Sequence, residues 1–505
     1  MNNSMNFTIF IWLMIRLTCA FIFIFSFFKV SGQDMLGTAL GNYAGANSLQ
    51  LNPSALLNSK QYLDIQLTGV GVFFENNAIY LPKEEYRFVH FFQKDYEWPA
   101  HKQQYGTGER YFYLYDNTRN KNVFNSLRVN GPGAMLVWKN HAIAIHTSLR
   151  SVFSLRKIPY EIASFSYYGL NYKPLQNQSY SDHGPFGGTA MVWGEIGLAY
   201  AHTLYAHGFN KLSAGINIKW LFGVGGTYID VDNIDYTVLN DSTVNIHNMD
   251  ARMGFSLPVD YSTNDLDFAK KIKGTGFSGD IGITYTRLSP YHRDQYFTSL
   301  CSRRHEPYRY RVGVALIDFG AIRFNINALK LSVDNRASYW DHLTRFDYES
   351  INQVLDTLSM KFYNDTTSLF VGTDFLLWLP GAITAQFDYH FGEHWYLNTN
   401  IVVGLKMGRQ TMVRPSEISI TPRYESAWFE AGVPVSLYDF ISPRIGLYLR
   451  FFGFTVGTDN IAGFFYYKDF SGLDLYCSVK YFIRSGKCRR DKVPLHCIEE
   501  KRDNR

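Results

Sequence analysis

Glycine, histidine and cysteine residues are the groups in this chain whose spacing could do chemistry. Gly274-Thr-Gly276-Phe-Ser-Gly279 matches the letters of a pyrophosphate-binding loop, G-x-G-x-x-G. Such a loop works because the helix behind it aims backbone N–H groups at phosphate. Here the glycines run into Asp280-Ile-Gly-Ile-Thr-Tyr-Thr286, which alternates as a strand does. With no helix there is no amide cradle, and the glycines read as easing a strand into curvature. His141 and His146 stand five apart on one strand, as do His202 and His207, so each pair faces opposite sides and shares no metal. His390 and His394 flank a short turn, where a rim histidine is a better reading than a metal ligand. No G-x-S-x-G, H-E-x-x-H, P-loop or EF-hand pattern occurs. The sequence therefore implies no cofactor, no metal and no catalytic residue. A Ser–His lipase assembled from distant strands would leave no local motif, so lipid hydrolysis stays as the third-ranked function.

Cysteine use adds a compartment. Beyond residue 32 the chain has Cys301, Cys477, Cys488 and Cys497, too few for a disulfide scaffold of 505 residues. Cys488 and Cys497 sit close together in a polar tail and can pair where the surroundings are oxidising. Their C-x8-C spacing without a flanking histidine is poor for zinc.

Composition limits what could position such groups. The chain has 36 Tyr, 40 Phe and 9 Trp against 16 Pro, with only 18% charged residues, which excludes intrinsic disorder. Mean hydropathy is −0.17, and no run of 18 uncharged apolar residues follows the first thirty, which argues against a bundle of membrane helices. The net charge of +5 is spread along the chain and suggests no nucleic-acid partner. Residues 1–32 carry the apolar run Phe21–Phe28 and the small residues Ser31 and Gly32, a secretory signal peptide cleaved after Gly32. Arg16 interrupts the apolar stretch before it, and a start at Met14 in place of Met1 or Met5 would make an ordinary basic leader.

The body of the chain alternates with period two. Leu473, Leu475, Cys477, Val479, Tyr481 and Ile483 oppose Asp474, Tyr476, Ser478, Lys480 and Phe482. Trp395–Lys406, Leu212–Phe222 and Arg444–Phe452 behave alike, each with one apolar face and one polar face. These runs are about 9–13 residues long, where ordinary strands run about 5–6 and a membrane-crossing strand needs about 9–11. Aromatic residues gather at the stripe ends, as at Trp395, Trp220, Phe222 and Tyr481. The fold expected is all-β: a transmembrane antiparallel β-barrel of about 14 strands (range 12–18) over residues 61–483. Tight turns at 139–141, 206–211 and 391–394 belong on the periplasmic side. Long polar stretches near 82–130, 151–188, 223–275, 288–307 and 333–368 read as outer loops. Residues 33–60 lack alternation and read either as a plug folded into the lumen, with Gly37, Gly41, Gly45, Asn52 and Pro53 as the residues shaping it, or as a disordered lead-in to the first strand. Residues 484–505 form a charged periplasmic tail.

Gly41-Asn-Tyr-Ala-Gly-Ala-Asn-Ser-Leu-Gln-Leu-Asn-Pro-Ser-Ala55 resembles the N-terminal N-P-A segment of FadL-like outer-membrane barrels, with Ser54 where that motif has Ala. A closer resemblance is to a Bacteroidota outer-membrane barrel family classed as a domain of unknown function. It is carried by segments such as Leu63–Gly71, Arg311–Gly320, Leu379–Thr384, Arg423–Trp428, Gly432–Val435 and Gly453–Asn460. The resemblance implies a barrel in the cell outer membrane, with lipid as a partner, and transfers no activity. Passive transport of a small hydrophobic ligand, gated by residues 33–60, is the first expectation. The rival is a non-transporting barrel that anchors or partners a secretion or surface protein.

Overall fold

The computed structural model describes residues 35–483, apart from Leu36, 87–89, 91–92, 94–95, Trp98, 103–108, 267–270, 290–307, 344–347, Glu393 and 463–468. The expected signal peptide, Cys301 and the tail with its Cys488–Cys497 pair lie outside the described residues.

Fourteen antiparallel strands close on themselves. In chain order they are β1 (Leu63–Asn76), β2 (Lys121–Asn130, then Gly133–Trp138), β3 (His141–Ile158), β4 (Ser179–His207), β5 (Asn210–Val238), β6 (Val244–Ser256, then Gly274–Leu288) and β7 (Tyr308–Phe324, then Ala328–Val333). They continue as β8 (Phe375–Trp378, then Ala382–Gly392), β9 (Trp395–Gly404), β10 (Glu417–Glu425), β11 (Phe429–Gly432, then Val435–Tyr438), β12 (Ser442–Ile445, then Leu447–Phe451), β13 (Phe454–Thr458) and β14 (Gly472–Ile483). The seam is β1 against β14, in register from Leu63↔Ile483 to Glu75↔Gly472 with a shift at Leu67. Closure is what a bilayer demands, because every backbone donor and acceptor at that depth needs a partner in the sheet.

The alternation sorts side chains as a barrel requires. On β5, Ile216, Ile218 and Trp220 face out and are 45–56% exposed, while Asn217 and Lys219 face in and are at most 4% exposed. Exposed aromatics form a row at the tight-turn end: Trp138, Tyr205, Trp395, Trp428 and Tyr481. A second row stands higher, where Trp220 stacks on Phe277 at 6.2 Å and Phe319 meets Trp378 at 6.3 Å. Between the rows the outward-facing side chains form an apolar band, as on Ile216, Ile218, Ile281, Ile283 and Val314. Among the described residues no helix is long and apolar enough to cross a membrane.

Two loop expectations are corrected. Residues 223–275 and 151–188 are in large part strand: β4 and β5 each run 29 residues, far past the membrane, and β5 folds back into the upper part of β6. Bulges at Gly223/Gly225 and Val231/Asn233 re-phase the side chains, which erases a period-two signal while the backbone stays extended. The strand ends that flank the expected 288–307 outer loop lie at the same end as the tight turns, since Leu288 pairs Tyr308 and Arg287 pairs Asn210.

At the far end two helices, α1 (Tyr160–Tyr168) and α2 (Ile351–Tyr363), pack on the tall strands. Ser350 caps α2 by accepting from Gln353 N–H, and Asn364 ends it in the left-handed conformation. Phe165, Tyr236, Val244, Phe255, Trp340 and Leu355 share the resulting apolar core.

Candidate functional site in the barrel interior

Residues 35–60 lie inside the barrel. Two 3-10 helices, Gly45–Gln50 and Pro53–Asn58, are buried along most of their length. Asn52 starts the second, its side-chain oxygen accepting from Ser54 N–H at 2.9 Å and from the Ser54 hydroxyl at 2.7 Å. Pro53 follows at the first helical position, where a missing N–H costs nothing. The Asn52 amide also donates to Gln386 Oε1 at 3.1 Å and Thr284 Oγ1 at 3.3 Å on the wall.

The wall is hollowed to receive this turn. A Cβ added at Gly215 on β5 would lie 2.5 Å from Ser54 N, one at Gly282 on β6 would lie 2.1 Å from Asn52 Oδ1, and one at Gly313 on β7 would lie 2.9 Å from Asn52 Nδ2. Ala142, Ala144, Ala199 and Ala201 on β3 and β4 leave matching room for Leu56 and Leu57. Charged side chains from β7 and from β10 to β14 hold the rest of the segment. Asn42 accepts from Arg311 at 2.6 Å and donates to both Glu425 oxygens at 3.0 Å. Lys60 pairs with Glu425, and the Arg450 guanidinium lies 4.1 Å from the Tyr43 ring centre. Lys480 on β14 donates to the Tyr43 and Ala44 carbonyls and pairs with Asp64 of β1 at 2.9 Å.

A buried ion cluster sits beside the segment. Arg150 clamps Asp318 with two bonds of 3.0 and 2.9 Å and reaches Glu195 at 3.5 Å. Lys219 bridges Asp280 at 2.7 Å and Asp318 at 2.6 Å. Asp318 can face inward because a bulge in β7 gives it a positive φ of 55°, and its N–H donates to Asp280 at 2.7 Å. Asn47, Gln50, Gln66, Arg128, Asn130 and Thr147 border a cavity of about 30 Å³ between cluster and segment, room for water and not for a larger molecule. The cavity adjoins a lapse in the β1–β2 ladder. Pairing stops at Gln66↔Gly133 and resumes at Gly69↔Asn130, because Pro132 has no N–H and Gly131 N–H turns to Thr147 O at 2.8 Å.

Farther from the tight-turn end the inward side chains turn apolar. Phe73, Phe124, Val152, Trp193, Leu221, Tyr228, Phe324, Phe375 and Leu377 form one buried cluster drawn from strands around the barrel. Met412, from the β9–β10 connection, completes it. One strand shows the stratification: inward positions on β5 read Ser213, Gly215, Asn217, Lys219, Leu221.

The sequence-derived candidates fall as follows. Gly37 lies against the Tyr448 ring, where a Cβ would approach to 2.5 Å, and Gly41 lies near Glu430. Gly45 has φ +59° and faces Asp64, so a side chain there would be strained and would clash. Gly274 and Gly276 lie in strand β6, close against the Arg323 and Ala321 carbonyls of β7. His390 and His394 are engaged with the backbone carbonyls of Tyr308 and Glu425. Sequence spacing missed that His141 and His202 stand opposite each other across β3 and β4, their rings 4.5 Å apart. It also missed the ion cluster, whose members come from β3, β4, β5, β6 and β7. Among the described residues no group of three or more His, Cys, Asp or Glu is arranged to hold a metal ion.

The chain belongs to a family described as a family of unknown function (DUF5723), whose model matches residues 53–459. No curated protein matches it. Among solved structures, the toluene transporter TbuX of Ralstonia pickettii aligns over 90% of this chain and 99% of its own, at 8% identity and a TM-score of 0.40. The P. putida toluene transporter TodX aligns over 90% and 97%, at 9% identity and a TM-score of 0.37. A Pseudomonas aeruginosa FadL homologue aligns over 89% and 97%, at 8% identity and a TM-score of 0.39. What those proteins carry is a property of theirs.

Proposed function

We propose that this chain is an outer-membrane barrel for passive transport of a small hydrophobic ligand, with residues 33–60 as a plug that gates the tight-turn end. The observation that carries the reading is the inward-facing apolar layer. Barrel interiors are ordinarily polar, and a layer built from Phe73, Trp193, Leu221, Phe324 and Leu377 serves no purpose in a water pore. It does suit a cargo that must leave the outer surface without being dissolved in water. Beneath it the ion cluster and the plug close the route to ions and solutes, and the lapse beside Gln66 and Asn130 is the weakest stretch of the β1–β2 wall.

The test compares cells carrying the full chain, a form lacking residues 33–60, or no barrel, by entry of the apolar dye N-phenyl-1-naphthylamine and by planar-bilayer conductance. Dye entry that depends on the barrel, with conductance that rises when the segment is removed, supports the reading. Unchanged entry and conductance beside a stable co-purifying protein would favour the anchoring alternative. Phospholipid hydrolysis by the purified chain would favour an enzyme.

A further inference from the structure

Residues 405–416 join neighbouring strands β9 and β10, whose last pair is Val402↔Glu417. A connection of two residues would suffice for adjacent antiparallel strands. This one turns into the barrel. Thr411 bridges Trp378 of β8, Trp378 N–H donates to Gln410 O at 3.0 Å, and Met412 N–H returns to Trp378 O at 3.3 Å. Arg409 then reaches Asp232 on β5 at 3.2 Å, so the loop stretches from the short side of the barrel to the tall one. Thr411 and Met412 are fully buried, while Arg409 is largely exposed.

We propose that the apolar chamber under this loop is a binding site for a small, uncharged apolar molecule, and that Met412 occupies it at rest. The site deepens the transport reading and rests on it. Met412 belongs to the same cluster as Trp193, Tyr228, Phe324 and Phe375. A thioether on an unbranched stem fills an aromatic pocket well and leaves it without breaking a hydrogen bond. The ends of the loop are fixed separately, through Leu405 to Gly381 and Gly404 to Ser416. The part around Met412 is held by two backbone bonds at Trp378, by the local pair of bonds between Gly408 and Thr411 at 2.8 and 2.7 Å, and by the Arg409–Asp232 pair at the surface. A solvent-screened pair of that kind holds a loop weakly. Gly404 and Gly408 bracket the inward turn, where a Cβ would lie 1.9 Å from Arg414 O and 2.6 Å from Trp378 Nε1, so the loop can lie flat only with glycine there. Withdrawing Met412 leaves a dry space lined by aromatic and aliphatic groups, the kind of cavity that takes apolar molecules in place of water. The Arg150–Glu195–Asp318 cluster below it is already internally paired and offers no free charge to an ionic cargo.

The experiment uses the full chain. Crystals of the wild type and of Met412→Ala are soaked with iodobenzene and read by anomalous scattering. Entry of N-phenyl-1-naphthylamine is timed in cells carrying wild type, Met412→Ala, Met412→Trp, or an Arg409→Cys/Asp232→Cys tether, its native cysteines replaced by serine, whose two thiols are joined by a reducible bis-methanethiosulfonate linker long enough to span the former ion pair. Iodine in the chamber of Met412→Ala is expected, with dye entry about ten-fold faster, because the variant no longer has to displace its own occupant. Met412→Trp and the linker-joined tether should slow entry, and reductant, which cleaves the linker, should restore the tethered form. An empty chamber in both crystals, with dye entry indifferent to Met412 and to the tether, overturns the site and leaves the transport reading standing. An occupied chamber with no barrel-dependent entry in any variant supports the site and overturns the transport reading. The tether leaves Met412 and the chamber lining unchanged, and the same cysteine-to-serine chain without the linker is its control, so it decides the matter if the Met412 variants do not fold.

Discussion

The two sides of the barrel hold the N-terminal segment by different physics. The tall side, β3 to β7, grips by shape: Gly215, Gly282 and Gly313 withdraw their side chains so that Asn52, Pro53 and Ser54 can approach the sheet, and alanines make room for Leu56 and Leu57. The short side, β10 to β14, grips chiefly by charge through Glu425, Arg450 and Lys480, with Arg311 of β7 adding a charged contact from the tall side. The difference teaches which contacts are replaceable. A notch is either open or filled. A buried ion pair becomes an uncompensated charge when one member is lost, which costs more than the pair contributed.

Four substitutions test that contrast, in falling order of effect. Glu425→Ala removes the carboxylate that Lys60 and Asn42 share, leaves Arg423 with Asp388 as its carboxylate partner, and should lower stability by about 3–5 kcal/mol, read by urea unfolding from lipid vesicles. If it costs no more than the notch variants, charge is not what holds the short side. Gly215→Val drives a side chain into Ser54 and should cost about 1–3 kcal/mol while raising single-channel conductance as the segment is pushed aside. Unaltered conductance there would show that the notch is not needed for closure. Asn52→Ala removes the cap of the second 3-10 helix and should cost about 0.5–2 kcal/mol by the same unfolding assay. Asp374→Asn breaks the exposed pair with Arg323 on the tall side and should change stability by about 0–1 kcal/mol, a baseline for the buried pairs.

How much of this was legible in the sequence follows the same division. Strands whose two faces differ, such as Leu212–Phe222 and Leu473–Ile483, announced themselves, and the expected fourteen strands are the number found. Where bulges shift the phase, as between Gly223 and Gly225, the alternation broke and a continuing strand read as a loop. The glycine notch left a faint signal, since Gly215 falls on the polar-facing series Ser213, Gly215, Asn217, Lys219. The ion cluster left none. Arg150, Glu195, Lys219, Asp280 and Asp318 come together only through the register of β3 to β7, which a one-dimensional pattern does not contain. The inward course of residues 405–416 was equally silent, because a loop that folds into a barrel and one that waves above it can share a composition.

Lys480 links the seam of the barrel to the segment inside it. It lies on the final strand, pairs with Asp64 on the opening strand and holds the carbonyls of Tyr43 and Ala44 between them. Closing the seam and seating residues 43–44 therefore draw on the same ammonium group, so a chain whose last strand has not docked lacks one of the ties that hold this segment in place.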